Sequence, residues 1–279
     1  MNESLTHGSF CTGYGGLDMA VEEFFGASTV WYSEIDSACN KLLAKYGYET
    51  NLGDLTKIDW DKVEPVDIMS AGFPCQPFSF AGERKGEEDE RAIFQWIADG
   101  ISVLRPRIVV LENVAGILNL GGPSVLGAIA SLGYDARWGI VRASDVGAPH
   151  QRQRWFCVAN DTTSVREHPG QTEKIRGEST QGEKRVPVRF SRPDSLHSDF
   201  EWGRYGPAIK RWEGVLGRSA PEPCTNVNDR LINSSFLEWM MGLPENHVCN
   251  QGLSTSQELH ALGNGVVPQQ AYHALELLV

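Results

Sequence analysis

Cys75 stands in the octapeptide Gly72-Phe73-Pro74-Cys75-Gln76-Pro77-Phe78-Ser79, directly after an apolar run at residues 66–71 that reads as a strand. A residue at the carboxyl end of a strand lies at the mouth of an α/β sheet, where such folds bind their ligands. The flanking Pro74 and Pro77 stiffen the backbone on either side and fix where the sulfur points. A thiolate held that way is a nucleophile. The chain supplies its own control: Pro223-Cys224 has neither strand nor glycine before it, so a bare Pro-Cys pair carries little weight.

Three further segments carry usable chemistry. Glu112-Asn113-Val114 follows the β-branched and aliphatic run at 108–111. A carboxyl there would hold or protonate a ring nitrogen, the more so if burial raises its pKa; the plain alternative is a capping acid. In His150-Gln151-Arg152-Gln153-Arg154, strand alternation would put Arg152 and Arg154 on one face. Paired guanidinium groups suit a base carbonyl or a phosphate, and the plain alternative is two surface arginines. Phe10-Cys11-Thr12-Gly13-Tyr14-Gly15-Gly16-Leu17 is a glycine turn between a strand and a helix, where a ligand can approach the backbone. Glu34 and Ile35, in Ser33-Glu34-Ile35-Asp36, follow the next strand, and Gly53-Asp54-Leu55 adds a third acidic turn on the same edge. Acids in such turns grip ribose hydroxyls, so the three features together favour an adenosine-like ligand; Asp36 itself reads equally well as a helix N-cap. The turn is not Gly-x-Gly-x-x-Gly, which supports a nicotinamide poorly.

Positioning these segments requires strands and helices in alternation. Strands are expected at 5–10, 29–33, 66–71, 108–111, 134–141 and 155–159. Helices are expected at 17–25, 37–46, 91–104, from Pro123 to Gly133, within 230–241 and from about Pro268. Such alternation implies a doubly wound α/β sheet. At Asp161 the character changes: 162–197 is rich in Gly, Pro, Ser, Thr, Gln and charge, and reads as an irregular binding segment or a linker.

The 279 residues carry a net charge of −11, which taken alone argues against nucleic acid. Between Arg166 and Arg192, however, seven basic residues face four acidic ones, so a local surface for phosphate is compatible with the acidic whole. Six scattered cysteines without a Cys-x-x-Cys pair speak against a zinc site and a disulfide framework. No apolar run has membrane-helix length, and the start MNESLTHGSF has no basic segment followed by an apolar core. The expectation is a cytoplasmic protein with no metal and no membrane.

In this order the segments resemble the motifs of the DNA cytosine-5 methyltransferase family. The Gly-Tyr-Gly-Gly turn is similar to its first motif, Phe73-Pro74-Cys75-Gln76 to its nucleophile motif, and Glu112-Asn113-Val114 to the motif that grips cytosine. Gln-Arg-x-Arg at Arg152 and Arg154 is similar to the next, and Gly263-Asn264-Gly265-Val266-Val267-Pro268 to the closing Gly-Asn-Ser-Val. The resemblance covers about residues 5–160 and 230–279. Three positions depart from it: Cys11 where Phe is usual, with Phe10 one place earlier; His150 where Gln is usual; and Gly265 where Ser is usual.

The resemblance implies a doubly wound, mostly parallel Rossmann-like methyltransferase sheet with a small irregular target-recognition domain. It implies S-adenosylmethionine as cofactor and double-stranded DNA as partner, with the target cytosine flipped out. Cys75 would add to C6, with Glu112, Arg152 and Arg154 as its catalytic companions. Phe10, Thr12, Gly13, Gly15, Gly16, Glu34, Ile35, Asp54, Leu55, Phe94 and Asn264 would bind the cofactor. The loop 78–90, with Gly82, Arg84 and Gly86, resembles the family's lid. The expected division is a catalytic domain of 1–160 plus 255–279 and a target-recognition region of 161–254, in a monomer. Other readings weighed are cytosine methylation of RNA, a catalytically silent DNA-binding relative, a nicotinamide oxidoreductase and a zinc-dependent deaminase. The last needs a second Cys three residues after the first, where Phe78 stands.

Overall fold

The computed structural model describes residues 4–74, 93–162, 201–224 and 232–279. Six strands form one sheet: β1 Leu5–Phe10, β2 Ala27–Ser33, β3 Ile68–Gly72, β4 Ile108–Val114, β5 Tyr134–Val141 and β6 Arg154–Asp161. Their order is β2-β1-β3-β4-β6-β5. The β1–β2, β1–β3 and β3–β4 pairs are parallel, and β6 runs antiparallel to both of its neighbours. This is the expected doubly wound, mostly parallel sheet, with β6 its reversed member.

The helices are α1 Gly16–Phe25, α2 Ser37–Lys45, α3 Ile93–Leu104, α4 Ile117–Leu120, α5 Gly122–Ser131, α6 Gly206–Leu216, α7 Ser234–Met240, α8 Thr255–Asn264 and α9 Pro268–Leu278. Apolar residues at helical spacing bury one stripe of α1, α3 and α9 against the sheet. On one face, Ile97, Ile101 and Leu104 of α3 join Val109 and Leu111 of β4; on the other, Leu17, Val21 and Phe25 of α1 join Ala271, Ala274 and Leu275 of α9. Parallel strands covered on both sides read as continuous apolar runs, and Ile108–Leu111 are all buried. The helix α9 packs on α1 and beside β5, so it completes one covering layer of the sheet.

Besides the one-turn α4, two helices were not expected from the sequence. The helix α6 lies inside the stretch read as mostly irregular, and buries Ile209 and Trp212 in a second core with Trp239, Leu243 and Val248. The helix α8 opens on a capping box, Ser254 with Gln257. Pro207 and the flanking glycines mask the first signal; the mean polarity of α8 masks the second.

Candidate active site

Three strands of the sheet deliver the site. In the parallel register β3 ends on Gly72, opposite Glu112 of β4, and Phe10 closes β1 opposite Ala71. Gly72 stands at the point of convergence. A Cβ built there lies 3.5 Å from Glu112 Oε2, 3.9 Å from the carbonyl oxygen of Cys11 and 4.0 Å from Val266 Cγ2. The Glu112 carboxyl, the glycine turn and the closing segment thus meet around the residue three places before Cys75. Cys75 itself lies outside the described residues, as do the loop 78–90 and the basic stretch 166–192.

Glu112 is buried, and its Oε1 accepts an ion-paired hydrogen bond from Arg154 Nε at 3.0 Å. Burial pushes its carboxyl up to about 7, against the opposing pull of Arg154 and then Arg152. Desolvation outweighs two neighbouring cations, so near neutrality this group exchanges a proton readily. That is the state of a carboxyl able to protonate a ring nitrogen and then hold it as a carboxylate.

The two arginines do not share a strand face, which corrects the alternation argument. β6 begins at Arg154, and Arg152 precedes it with φ 31°, in the left-handed region. Both nonetheless act on Glu112 electrostatically. Arg152 reaches there from a tight bend, with its Nη2 donating to the carbonyl oxygens of Gly263 at 3.0 Å and Gly265 at 2.5 Å. Its own carbonyl is fixed by Gln270 Nε2 at 2.8 Å, which also donates to Val141 O at 2.8 Å. An uncommon backbone conformation of this kind costs on the order of 1–3 kcal/mol and persists where its surroundings over-determine it. Here Gln270, on the helix after the closing segment, does so.

Asn113 is the companion that sequence reasoning passed over. Its Nδ2 donates to Phe73 O at 2.8 Å, and its Oδ1 accepts from Val114 N at 2.8 Å. It ties Phe73, two residues before Cys75 in sequence, to the strand that carries Glu112. Asn113→Ala leaves a buried carbonyl without its donor, so a destabilisation of about 1–3 kcal/mol is expected. Chemical denaturation measures that loss, and turnover should fall further than stability alone accounts for.

On the other side of β1, the glycine turn is open. Gly13 (φ 58°) and Gly15 (φ 84°) are left-handed, and a Cβ at Gly13 would meet nothing within 4 Å. Glu34 Oε2 accepts from Gly13 N at 2.8 Å, and Oε1 from Asp36 N at 2.7 Å. Ile35 beside it is 75% exposed, an apolar face with an acid at its edge. Asp36 is the N-cap of α2, accepting from Ala38 N and Cys39 N, as its plain alternative had it. Asn51 staples this edge: its Oδ1 accepts from Glu34 N and Gly53 N, and its Nδ2 donates to Glu34 O. Asp54 caps the short turn Leu55–Lys57; hydrogen bonds from Thr56 and then Lys57 draw its carboxyl down to about 2. Leu55 is buried behind it.

Not every expected contact residue faces this opening. The ring of Phe10 is buried against Trp31 and Trp60, and that of Phe94 against Phe73. Both support the walls from the core. Thr12 is buried, its hydroxyl donating to Ser9 Oγ at 3.0 Å. Gly16 is buried at the start of α1, where a Cβ would overlap Val266 O and the Tyr14 ring. Asn264 is exposed at the end of α8. His150 Nε2 donates to Met240 O at 2.9 Å, joining the bend to α7. Cys11, the departure from the usual Phe, is pushed up to about 12 by burial and then by Glu34, so it stays a thiol.

A mostly parallel sheet bearing an open glycine turn and an acid after its second strand is the arrangement of a nucleotide-binding α/β fold, here with a buried carboxyl paired with arginine beside it. The sequence profile described as C-5 cytosine-specific DNA methylase matches residues 5–189, and the chain belongs to that family. It is 35% identical over 151 residues to the Type II methyltransferase M.DsaV of Dactylococcopsis salina, covering 52% of this chain and 43% of that protein. It is 28% identical to the Type II methyltransferase M.MspI of Moraxella sp, over 92% of this chain and 66% of that protein. The matched part thus spans about two-fifths to two-thirds of these curated relatives. In three dimensions it superposes on the S. pombe Dnmt2 methyltransferase with a TM-score of 0.65 at 16% identity, over 98% of both chains. That likeness establishes the fold.

Proposed function

We propose that this chain methylates C5 of cytosine in double-stranded DNA, using S-adenosylmethionine, with Cys75 as the nucleophile. The observation that carries the reading is the meeting of the Glu112 carboxyl, the glycine turn and the closing segment around Gly72. A target base beside Gly72 would meet the Glu112 proton donor and the cofactor edge together, three residues in sequence before Cys75.

The residues fit that cofactor. The left-handed Gly13 leaves open space for a ligand to approach the backbone, Glu34 offers a carboxylate for ribose hydroxyls, and the exposed Ile35 offers an apolar face to a purine. When bound, S-adenosylmethionine supplies the methyl group. Cys75 adds as thiolate to C6 of a flipped cytosine. Glu112 donates its proton to N3, so that the electron pair of the C5–C6 bond gathers at C5. Arg154 holds Glu112 in place, and Arg152 orients the base through its remaining donors. Once C5 carries its methyl group and gives up its proton, Cys75 leaves and the C5–C6 double bond returns. The target sequence is read within 161–254, and the catalytic domain is 1–160 completed by 255–279. The curated relatives are named Type II methyltransferases, and we assign this chain the same role, acting as a monomer.

The test is transfer of label from S-adenosylmethionine to duplex DNA of mixed sequence, followed by digestion to nucleosides. Label in 5-methylcytosine is expected. Label in RNA cytosine alone would move the substrate to RNA, and label in neither would remove the enzymatic reading. Glu34→Ala removes both the ribose acceptor and the partner of Gly13 N–H. It should weaken S-adenosylmethionine binding by about tenfold or more, read by calorimetry; unchanged affinity would place the cofactor elsewhere.

A further inference from the structure

Gly265 has extended backbone, φ −78° and ψ −175°, which any residue adopts. Its lack of a side chain therefore answers to space, not to conformation. A Cβ at this position would overlap Cε1 and Cζ of Tyr14. Tyr14 belongs to the glycine turn and is 1% exposed. Its hydroxyl donates to Val266 O at 2.6 Å, and its own carbonyl accepts from His247 Nε2 at 2.9 Å. His247 in turn stacks on Tyr46, with ring centroids 4.4 Å apart and planes 12° from parallel. Tyr14 is thereby held by its backbone and occupies the space that a side chain at 265 would need. The carbonyl of Gly265, one residue before the carbonyl that Tyr14 grips, is an acceptor for Arg152.

We infer that Tyr14 is a positioning residue for Arg152: its ring and hydroxyl fix the 263–267 segment so that the Gly263 and Gly265 carbonyls hold the guanidinium. Tyr14 and a side chain at 265 are mutually exclusive solutions to packing this junction. The assignment rests on the methyl-transfer reading for its kinetic consequence, but its packing content is independent of that reading. Two bonds in series, from Tyr14 to Val266 and from Gly265 to Arg152, carry the coupling. Displacing an oriented catalytic group by a fraction of an ångström is enough to lower turnover.

The experiment measures the effect of Gly265→Ser in two backgrounds, wild type and Tyr14→Leu. Leucine keeps the volume near the backbone and removes the atoms that collide. In the wild-type background Gly265→Ser should lower the melting temperature and cut kcat by at least about tenfold. In the Tyr14→Leu background the same substitution should cost neither. Equal effects of Gly265→Ser in both backgrounds, harmful or harmless, would overturn the pairing. Tyr14→Phe separates position from bulk: it keeps the ring and loses the donor to Val266 O. A several-fold loss of kcat with KM for DNA unchanged is expected, and an unchanged kcat would overturn the positioning role. A wild-type protein inert toward cytosine in either polymer would sink the functional reading instead, and the melting comparison would still decide the pair.

Discussion

Cys75→Ser is expected to lower methyl transfer by on the order of a thousandfold or more, with the melting temperature and S-adenosylmethionine affinity unchanged. Exchanging sulfur for oxygen keeps the side chain's size, so folding and the glycine turn are spared. What is lost is acidity: a free thiol is a few per cent ionised near neutrality and strongly nucleophilic, whereas a serine hydroxyl is not ionised at all. Four of the five described cysteines are held as thiols by their surroundings. Burial pushes Cys157 and Cys249 up to about 12, and Cys11 likewise with help from Glu34; Cys39 is raised as well. Asn113 ties Phe73, two residues before Cys75 in sequence, to the Glu112 strand. Steady-state incorporation of labelled methyl groups, alongside calorimetric cofactor binding, checks the prediction. Activity within a few-fold of wild type would mean that Cys75 is not the nucleophile.

Glu112→Gln should separate activity from stability in opposite directions. A general acid contributes roughly a hundredfold to ten-thousandfold, so kcat should fall by at least about a hundredfold. Stability should not fall with it. The folded carboxyl titrates near 7, while an unfolded one titrates near 4.5. Between these values the native state binds more protons than the unfolded state, so stability declines as pH rises through this window and stays lower above it. With each pKa unit near 1.4 kcal/mol, ionised Glu112 costs the fold roughly 3 kcal/mol above pH 8. Glutamine removes that charge and keeps a hydrogen-bond acceptor for Arg154. The variant should therefore melt at or above the wild-type temperature at pH 8.5, and at about the same temperature at pH 5. In the wild type, kcat/KM should decline as pH rises past about 7, because the proton-donating form disappears, and that alkaline limb should be absent from Glu112→Gln. A large loss of stability at pH 8.5 would mean that the Arg154 ion pair outweighs desolvation, contrary to the account.

The sequence disclosed β4 because a strand covered on both faces is written as an apolar run, and 108–111 falls within it; the half-exposed edge strand β5 was placed at 134–141 without that signal. The same local logic named Glu112 and the Gly13–Gly16 turn, since both sit where a strand ends. It misread Arg152, because a left-handed bend has no period and ends the alternation one residue too late. It gave no packing partners for Phe10 and Phe94, since an aromatic residue near a strand or helix end does not declare in sequence what it packs on; the structure sets them against Trp31, Trp60 and Phe73. Asn113, Gln270 and Tyr14 were overlooked for a shared reason. Their partners are 40, 118 and 252 residues away, and contacts at such separations leave no local pattern. The Gly265 departure was visible as a missing hydroxyl, but its cause, the Tyr14 ring, was not.

The most direct test of the central claim is to incubate the protein and S-adenosylmethionine with duplex DNA whose cytosines carry fluorine at C5. After thiol addition at C6 and methylation at C5, release of Cys75 requires loss of a proton from C5; fluorine cannot leave as a cation, so the adduct is trapped. The account predicts a protein–DNA complex that survives denaturing electrophoresis, forms only with cofactor present, maps to Cys75 by mass spectrometry of the digested complex, and is absent from Cys75→Ser. Methylation of ordinary duplex DNA with no trapped complex on the fluorinated duplex, or a complex mapping to another residue, would contradict it.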